Sequence, residues 1–301
     1  MQSKIVTLLD KLPYIKVLKK LILNQGRYPA GHYYSPIPEK GWVKEYLDRQ
    51  TKMPINLVDI DLRKEHQLSV INRYIKFYSE IPFTFEKKST RYYFDQEWFT
   101  YFDAISLYSF IRDIKPKKII EVGSGFSSAV MLDTAELFLE TKPQMTFIEP
   151  FPERLKSILR ESDNRIEIIE DKVQNVKLEV FQKLNAGDIL FIDSSHVLKY
   201  GSDLHYLLFE IIPNLEKGVF VHFHDIIYPF EYFQNWLKEG RYWNEIYMLR
   251  AFLANNTDWK IHFFNSFVGR EFKDVLTTEM PICMKNTGGS IYIERINKTN
   301  Y

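Results

Sequence analysis

Four residues near the ends of two short apolar runs have types and spacing suited to chemistry: Asp193 and His196 in FIDSSH, and His224 and Asp225 in HFHD. Two carboxylates and an imidazole facing one point hold a hard divalent cation, which binds a substrate oxygen and lowers its pKa. Asp193 and Asp225, with His224 or His196, are the candidate ligand set. The same residues also work without a metal, with His196 or His224 as general base toward a hydroxyl. In a third reading His222 and His224, alternating along one run, are one core and one surface histidine. The residue types leave all three open.

A second constellation is EVGSGFSS, where an apolar run ends at Val122, turns through Gly123 and Gly125, and enters a helical pattern near Ser127. Glycine permits positive φ and lets a ligand approach the backbone, and a helix start offers free N–H groups. A dinucleotide site requires a third glycine in G-x-G-x-x-G, and Ser128 stands at that position. Glu121 just before the turn repels a pyrophosphate but suits the cationic amino-acid end of S-adenosylmethionine, directly or through water. With Ser124, Ser127 and Ser128 it completes the expected cofactor turn. Glu149, at the end of the next run, is placed to accept both hydroxyls of a ribose. Asp171 and Val173, after the third, form a corner for an adenine amino group and ring face. The bland alternatives are a tight strand-helix turn, a solvated acid and an ordinary loop corner.

These residues need a frame that brings run ends together. From Lys117 onward the runs KIIEV (118–122), MTFIE (145–149), RIEIIE (165–170), DILFID (188–193) and GVFVHF (218–223) alternate with helical patterns beginning near Ser127, Pro152, Leu178 and Ser202. This is the signature of a parallel sheet with crossover helices. A helical stretch over 231–255, broken near Gly240, precedes WKIHFF (259–264), a polar connection and GGSIYIERI (288–296), the last two runs suiting an antiparallel pair. The expected fold class is α/β: a Rossmann-like sheet of about seven strands, the last antiparallel, with a mainly helical N-terminal cap. Residues 1–90 read as that cap and 91–301 as the cofactor-binding domain, entered through a helix from Gln96 to Ile114 with Asp95 as N-cap.

Composition narrows the class of partner. The 301 residues are 45% hydrophobic, enough for a packed core, and 40 basic against 39 acidic side chains leave no global field favouring nucleic acid. A single cysteine, Cys283, forbids an internal disulfide and fits a reducing compartment, with the cytoplasm as the default. The opening 24 residues carry five lysines among apolar positions, too charged to span a bilayer. Such a segment can lie on an anionic membrane surface, although a helix packed on its own domain is the commoner case. The tract Tyr228 to Tyr232 and the run Arg241 to Glu245 offer stacking faces and polar groups to a sugar or phenol acceptor, or they are core aromatics. His32 to Pro36 either folds over the cofactor or ties the cap to the sheet.

Taken together, EVGSGFSSAVMLD, FIEPFPERL, DILFIDSSH, FVHFHDIIYPFEY and GRYWNEIYMLRAFL resemble the class I S-adenosylmethionine-dependent methyltransferases. The nearest resemblance is to a bacterial group of macrocin-type O-methyltransferases often found near glycan genes, which GHYYSPIP, Gly31 to Pro38, also resembles. The resemblance implies O-methylation of a saccharide or small hydroxylated metabolite. It also implies magnesium held by Asp193, Asp225 and the residue before Asp225, where His224 replaces an acid and favours a softer ion or none. It implies His196 as the base. Two other functions stay in view: a catalytically weak cofactor-binding scaffold in a glycan-assembly complex, and a nicotinamide-dependent oxidoreductase, which the missing third glycine and Glu121 disfavour.

Overall fold

The computed structural model describes residues 27–50, 57–163 and 165–297, together with residue 14. The basic segment at the start of the chain, and any membrane contact through it, lies outside the described residues. Among those described, no helix is long and apolar enough to cross a membrane.

Seven strands form one sheet: β1 Lys118–Val122, β2 Gln144–Ile148, β3 Ile166–Ile169, β4 Ile189–Ile192, β5 Phe220–Phe223, β6 Trp259–Phe264 and β7 Ile291–Arg295. Their order is β3-β2-β1-β4-β5-β7-β6. The first five are mutually parallel, while β7 runs antiparallel to both β5 and β6. The expected seven-stranded sheet with a reversed last strand is therefore the fold. Strands β4 and β5 are buried at every position, as befits central strands covered on both faces, whereas edge strand β3 is partly exposed.

Register positions the chemistry. Val122 pairs with Ile148 on one side and Ile192 on the other, and Ile192 pairs with Phe223. The next residues, Gly123, Glu149, Asp193 and His224, therefore leave the sheet side by side. They do so around β1 and β4, where the strand order reverses and α/β sheets open a crevice.

Several helices depart from the sequence reading. The helix before β1 is Tyr101–Ile114 rather than one starting at Gln96, and its N-cap is Thr100 rather than Asp95. The cause is local: the Gln96 side-chain oxygen accepts the backbone N–H of Trp98 (2.8 Å) and of Phe99 (3.0 Å), closing a turn where the helix would begin. The stretch 231–255 contains only Gln234–Lys238 and Glu245–Leu253 as α-helix. The connection after β6 is not merely polar, since it folds into Asn265–Glu271 and Lys273–Glu279. Ser202 does cap its helix, accepting from the His205 N–H at 3.3 Å.

The chain divides into two compact units. One compact unit comprises Met1–Ile55 with Phe233–Tyr242, the other Asn56–Tyr232 with Trp243–Tyr301. In the smaller unit helix Lys40–Gln50 packs on Gln234–Lys238, and the turn from Gly31 closes on itself through Gly31 N–H to Ile37 O at 3.0 Å. In the larger unit helix Lys64–Tyr78 packs on Tyr101–Ile114 and on β6, so these residues belong with the sheet. There too the buried Arg91 guanidinium bonds Asp133 (2.8 Å), Glu136 (2.6 Å) and Asp163 (2.7 Å), while Tyr92 N–H donates to Asp133 (2.9 Å). That cluster fastens the segment preceding Tyr101 to helix Phe126–Phe138.

Candidate active site

The glycine turn is held by strand tips. Gly123 lies at φ 82°, and a Cβ there would fall 1.7 Å from the Asp193 carbonyl oxygen, so only glycine lets β1 and β4 end this close. Gly123 N–H donates to Ile148 O (3.1 Å) and Asp193 N–H to Val122 O (2.9 Å). Glu149 accepts the Ser124 N–H on one oxygen (3.0 Å) and the Phe151 N–H on the other (2.9 Å), tying the glycine turn to the tip of β2. A carboxylate has about four lone-pair sites, so Glu149 keeps acceptor capacity toward a ribose.

Glu121 behaves differently from its expected role. It is fully buried, and its two oxygens accept the hydroxyls of Ser127 and Ser128. Ser128 also accepts the Gly125 N–H at 3.0 Å. The carboxyl thus points into the first turn of the helix, and burial pushes its pKa up to about 8 against the hydrogen bonds of the serines. Asp171 accepts from Lys172 N–H and Asn175 Nδ2, both at 2.7 Å, shaping the turn that buries Val173. The sequence reading missed Arg154, whose side chain passes 3.2 Å from the Cβ position of Gly125 and whose guanidinium stacks 4.2 Å over the exposed ring of Trp98. Its signal was present, since Arg154 closely follows Glu149 at the start of a helix.

Across the crevice the structure brings Asp193, His196, His224 and Asp225 together. His196 Nε2 lies 3.6 Å from Asp193 Oδ1 and 3.5 Å from Asp225 Oδ2, and His224 Nε2 lies 3.7 Å from Asp225 Oδ1. A residue that sequence reasoning did not single out completes the group: Glu245, 2% exposed, meets His196 Nδ1 at 2.8 Å. It comes from the helix that follows the aromatic tract, and its spacing from His196 gives no local sign of the contact. The His196 ring also faces Trp243, with centroids 4.5 Å apart. Burial opposes charge on His196, yet the hydrogen bond and charge of Glu245, with Asp193 and Asp225, raise its pKa to about 9. On His224 burial is likewise outweighed by Asp193, Asp225 and Asp103, and its pKa rises. His222 is a core residue, fully buried and stacked on Phe191 at 3.7 Å, its pKa driven down by burial.

Both His196 and Asp225 have φ of 58°. Left-handed backbone at a non-glycine residue costs on the order of 1–3 kcal/mol and persists only where the surroundings impose it. Here the His196 carbonyl accepts the N–H groups of Asn244 and Glu245, both at 3.2 Å. The Asn244 side chain in turn clasps Leu198, accepting its N–H (2.6 Å) and donating to its carbonyl (3.0 Å).

The expected metal triad is not formed in this arrangement. Among the described residues no three His, Cys, Asp or Glu side chains are grouped to hold an ion. The physical reason is that Asp193 and Asp225 converge on the Nε2 of His196.

Residues 120–226 match the family described as "Methyltransferase domain", a span that holds the ends of β1, β2, β4 and β5 but not Glu245. A protein of Archaeoglobus fulgidus described as uncharacterized is 32% identical over 196 residues, covering 58% of this chain and 86% of that one, and the two belong to one family. Among solved structures, an SAH-bound methyltransferase of Podospora anserina aligns over 87% of this chain and 98% of its own, with 13% identity and a TM-score of 0.43. An O-methyltransferase of Streptomyces achromogenes solved with SAM aligns over 87% and 100%, with 12% identity and a TM-score of 0.41. Both likenesses are distant, and the architecture stands on the strand order itself.

Proposed function

We propose that this chain is an S-adenosylmethionine-dependent O-methyltransferase acting on a hydroxyl of a saccharide or small metabolite. The observation that carries this reading is the facing of two unlike walls across one crevice. One is a glycine turn tied to Glu149 and the other an imidazole between two carboxylates.

The cofactor supplies an electrophilic methyl group on a sulfonium. On the near wall, Glu149 would receive the ribose hydroxyls and the corner at Asp171 and Val173 the adenine. Arg154, beside Gly125, would receive the amino-acid carboxylate. On the far wall, Asp193 and His196 Nε2 face one gap, so an acceptor hydroxyl held there is hydrogen-bonded by both. An acceptor hydroxyl methylated there would give its proton to the Asp193 carboxylate, while His196, whose pKa is raised to about 9 and which is therefore charged near neutral pH, would orient the oxygen through its Nε2–H. Trp243 and Phe99 pack on His196 and His224 and would hold the two rings in place, so proximity and orientation would be the main source of rate. The residues present do not fit the expected divalent ion, and no step is routed through one.

Calorimetric titration of the purified chain with S-adenosylmethionine and S-adenosylhomocysteine tests the reading. Saturable binding of both is expected, and absence of binding by either ends it. With binding in hand, release of S-adenosylhomocysteine across a panel of hydroxylated acceptors, with Asp193→Ala as control, identifies the acceptor class.

A further inference from the structure

We propose that Glu245 is a positioning residue: by accepting the Nδ1–H of His196 it directs Nε2 into the gap between Asp193 and Asp225, so that an imidazole stands where these carboxylates would otherwise share a divalent cation. The catalytic meaning of this device rests on the methyl-transfer reading, whereas its geometry does not.

Three observations carry it. First, Glu245 is buried and meets His196 at 2.8 Å, while its other oxygen has no hydrogen-bond partner among the described residues. A buried carboxylate without full hydrogen bonding is costly, and the helix Glu245–Leu253 has no need of one at its start beyond a modest dipole benefit. Second, the same turn grips His196 twice, with the N–H groups of Asn244 and Glu245 on its carbonyl and the Glu245 side chain on its ring. This grip holds the left-handed backbone at residue 196. Third, the ring is closed on its face by Trp243 and leaves Nε2 nearly equidistant from two carboxylates of different strands, 3.6 and 3.5 Å. Oxygens that bind a divalent ion approach it to roughly 2.0–2.6 Å. These oxygens instead converge on a ring nitrogen whose orientation is fixed from behind, an arrangement in which the partner of a working histidine sets its tautomer.

The experiment uses the full chain and Mn²⁺ as the probe, read by water-proton relaxation, alongside imidazole ¹⁵N spectra. The wild type is expected to show no saturable Mn²⁺ binding up to about 1 mM. Removing the ring in His196→Ala should free the carboxylates and create a saturable Mn²⁺ site, which the added change Asp193→Asn abolishes again. In the spectra the wild type should show a hydrogen-bonded Nδ1–H on His196. Glu245→Gln, which still offers an amide oxygen, should keep that signal, and Glu245→Leu should lose it. Saturable Mn²⁺ binding by the wild type below that concentration, or no gain in His196→Ala, overturns the proposal. So does a His196 protonated at Nδ1 in Glu245→Leu as in the wild type. Titration with S-adenosylmethionine on the same samples separates the two readings. Absence of cofactor binding with the metal and spectral results intact would end the methyl-transfer reading and leave the Glu245 geometry standing.

Discussion

The two walls of the crevice are built by opposite means. The near wall, from Gly123 to Ser128 with Glu149, is made of backbone N–H groups that meet side chains, two of them within three residues in the chain and one, Ser124 to Glu149, across to the neighbouring strand tip. Its one buried acid, Glu121, is quenched by two hydroxyls. The far wall gathers Asp193, His196, His224, Asp225 and Glu245 from three separate parts of the chain, bends two of them into left-handed backbone, and leaves Nδ1 of His224 without a partner among the described residues. The near wall has the economy of a binding cradle, and the far wall carries the uncompensated charge and strain expected where bonds change.

The comparison breaks first at Gly123. Gly123→Ala should destabilise the protein by about 2–4 kcal/mol, because its Cβ meets the Asp193 carbonyl at 1.7 Å in a left-handed conformation. Urea denaturation measures it, and a loss under about 1 kcal/mol would mean that the strand tips are not so rigidly joined.

Glu245→Leu sharpens the contrast next. If the far wall serves chemistry and the near wall binding, as proposed, turnover should fall about 100-fold while affinity for S-adenosylmethionine changes by less than about threefold. A parallel loss of cofactor affinity would erase the distinction between walls. The reverse pattern is expected of Glu149→Ala: affinity for S-adenosylmethionine drops about 10- to 100-fold in calorimetry, through loss of both the ribose acceptor and the anchor of Ser124. An unchanged dissociation constant would remove Glu149 from the cofactor site.

The smallest effect concerns pH. Glu121 has its pKa raised in the folded protein from an ordinary 4.5 to about 8. Its protonated form is therefore favoured by folding: the contribution is fully present below the unfolded value and is lost as pH rises through about 8. His196, raised to about 9, adds a loss at higher pH, fully present below its unfolded 6.5. Glu121→Gln should flatten the fall in melting temperature between about pH 5 and 8 relative to wild type, leaving the later fall in place. Identical pH profiles for the two proteins would show that Glu121 is ionised in the fold.

What could be read in the sequence follows the same division. Strands β1, Lys118–Val122, and β6, Trp259–Phe264, agree with their apolar runs residue for residue, and the other strands differ only at their ends. Apolar runs and glycine turns are short-range patterns, which is why the sheet and the near wall were legible. Arg154 was within reach of the same logic. Glu245 was not, since its contact with His196 joins segments brought together only by the sheet, and in the chain it is one more acid at the end of an aromatic tract. An acid before a glycine turn gives no sign of which way its side chain points, and at Glu121 the serines that hold it inward decide that. The helices after β6 went unseen because their exposed faces dilute the apolar signal.

The Arg91 cluster has a consequence far from either wall. It ties the segment bearing Trp98 and Phe99 to the helix that rises from the glycine turn. The aromatic front of the crevice and the floor of the cradle are thereby geared to one shaft. A lesion at residue 91, which meets no ligand, would let the front slip against the floor and would be recorded in an assay as an enzyme that had lost its aim.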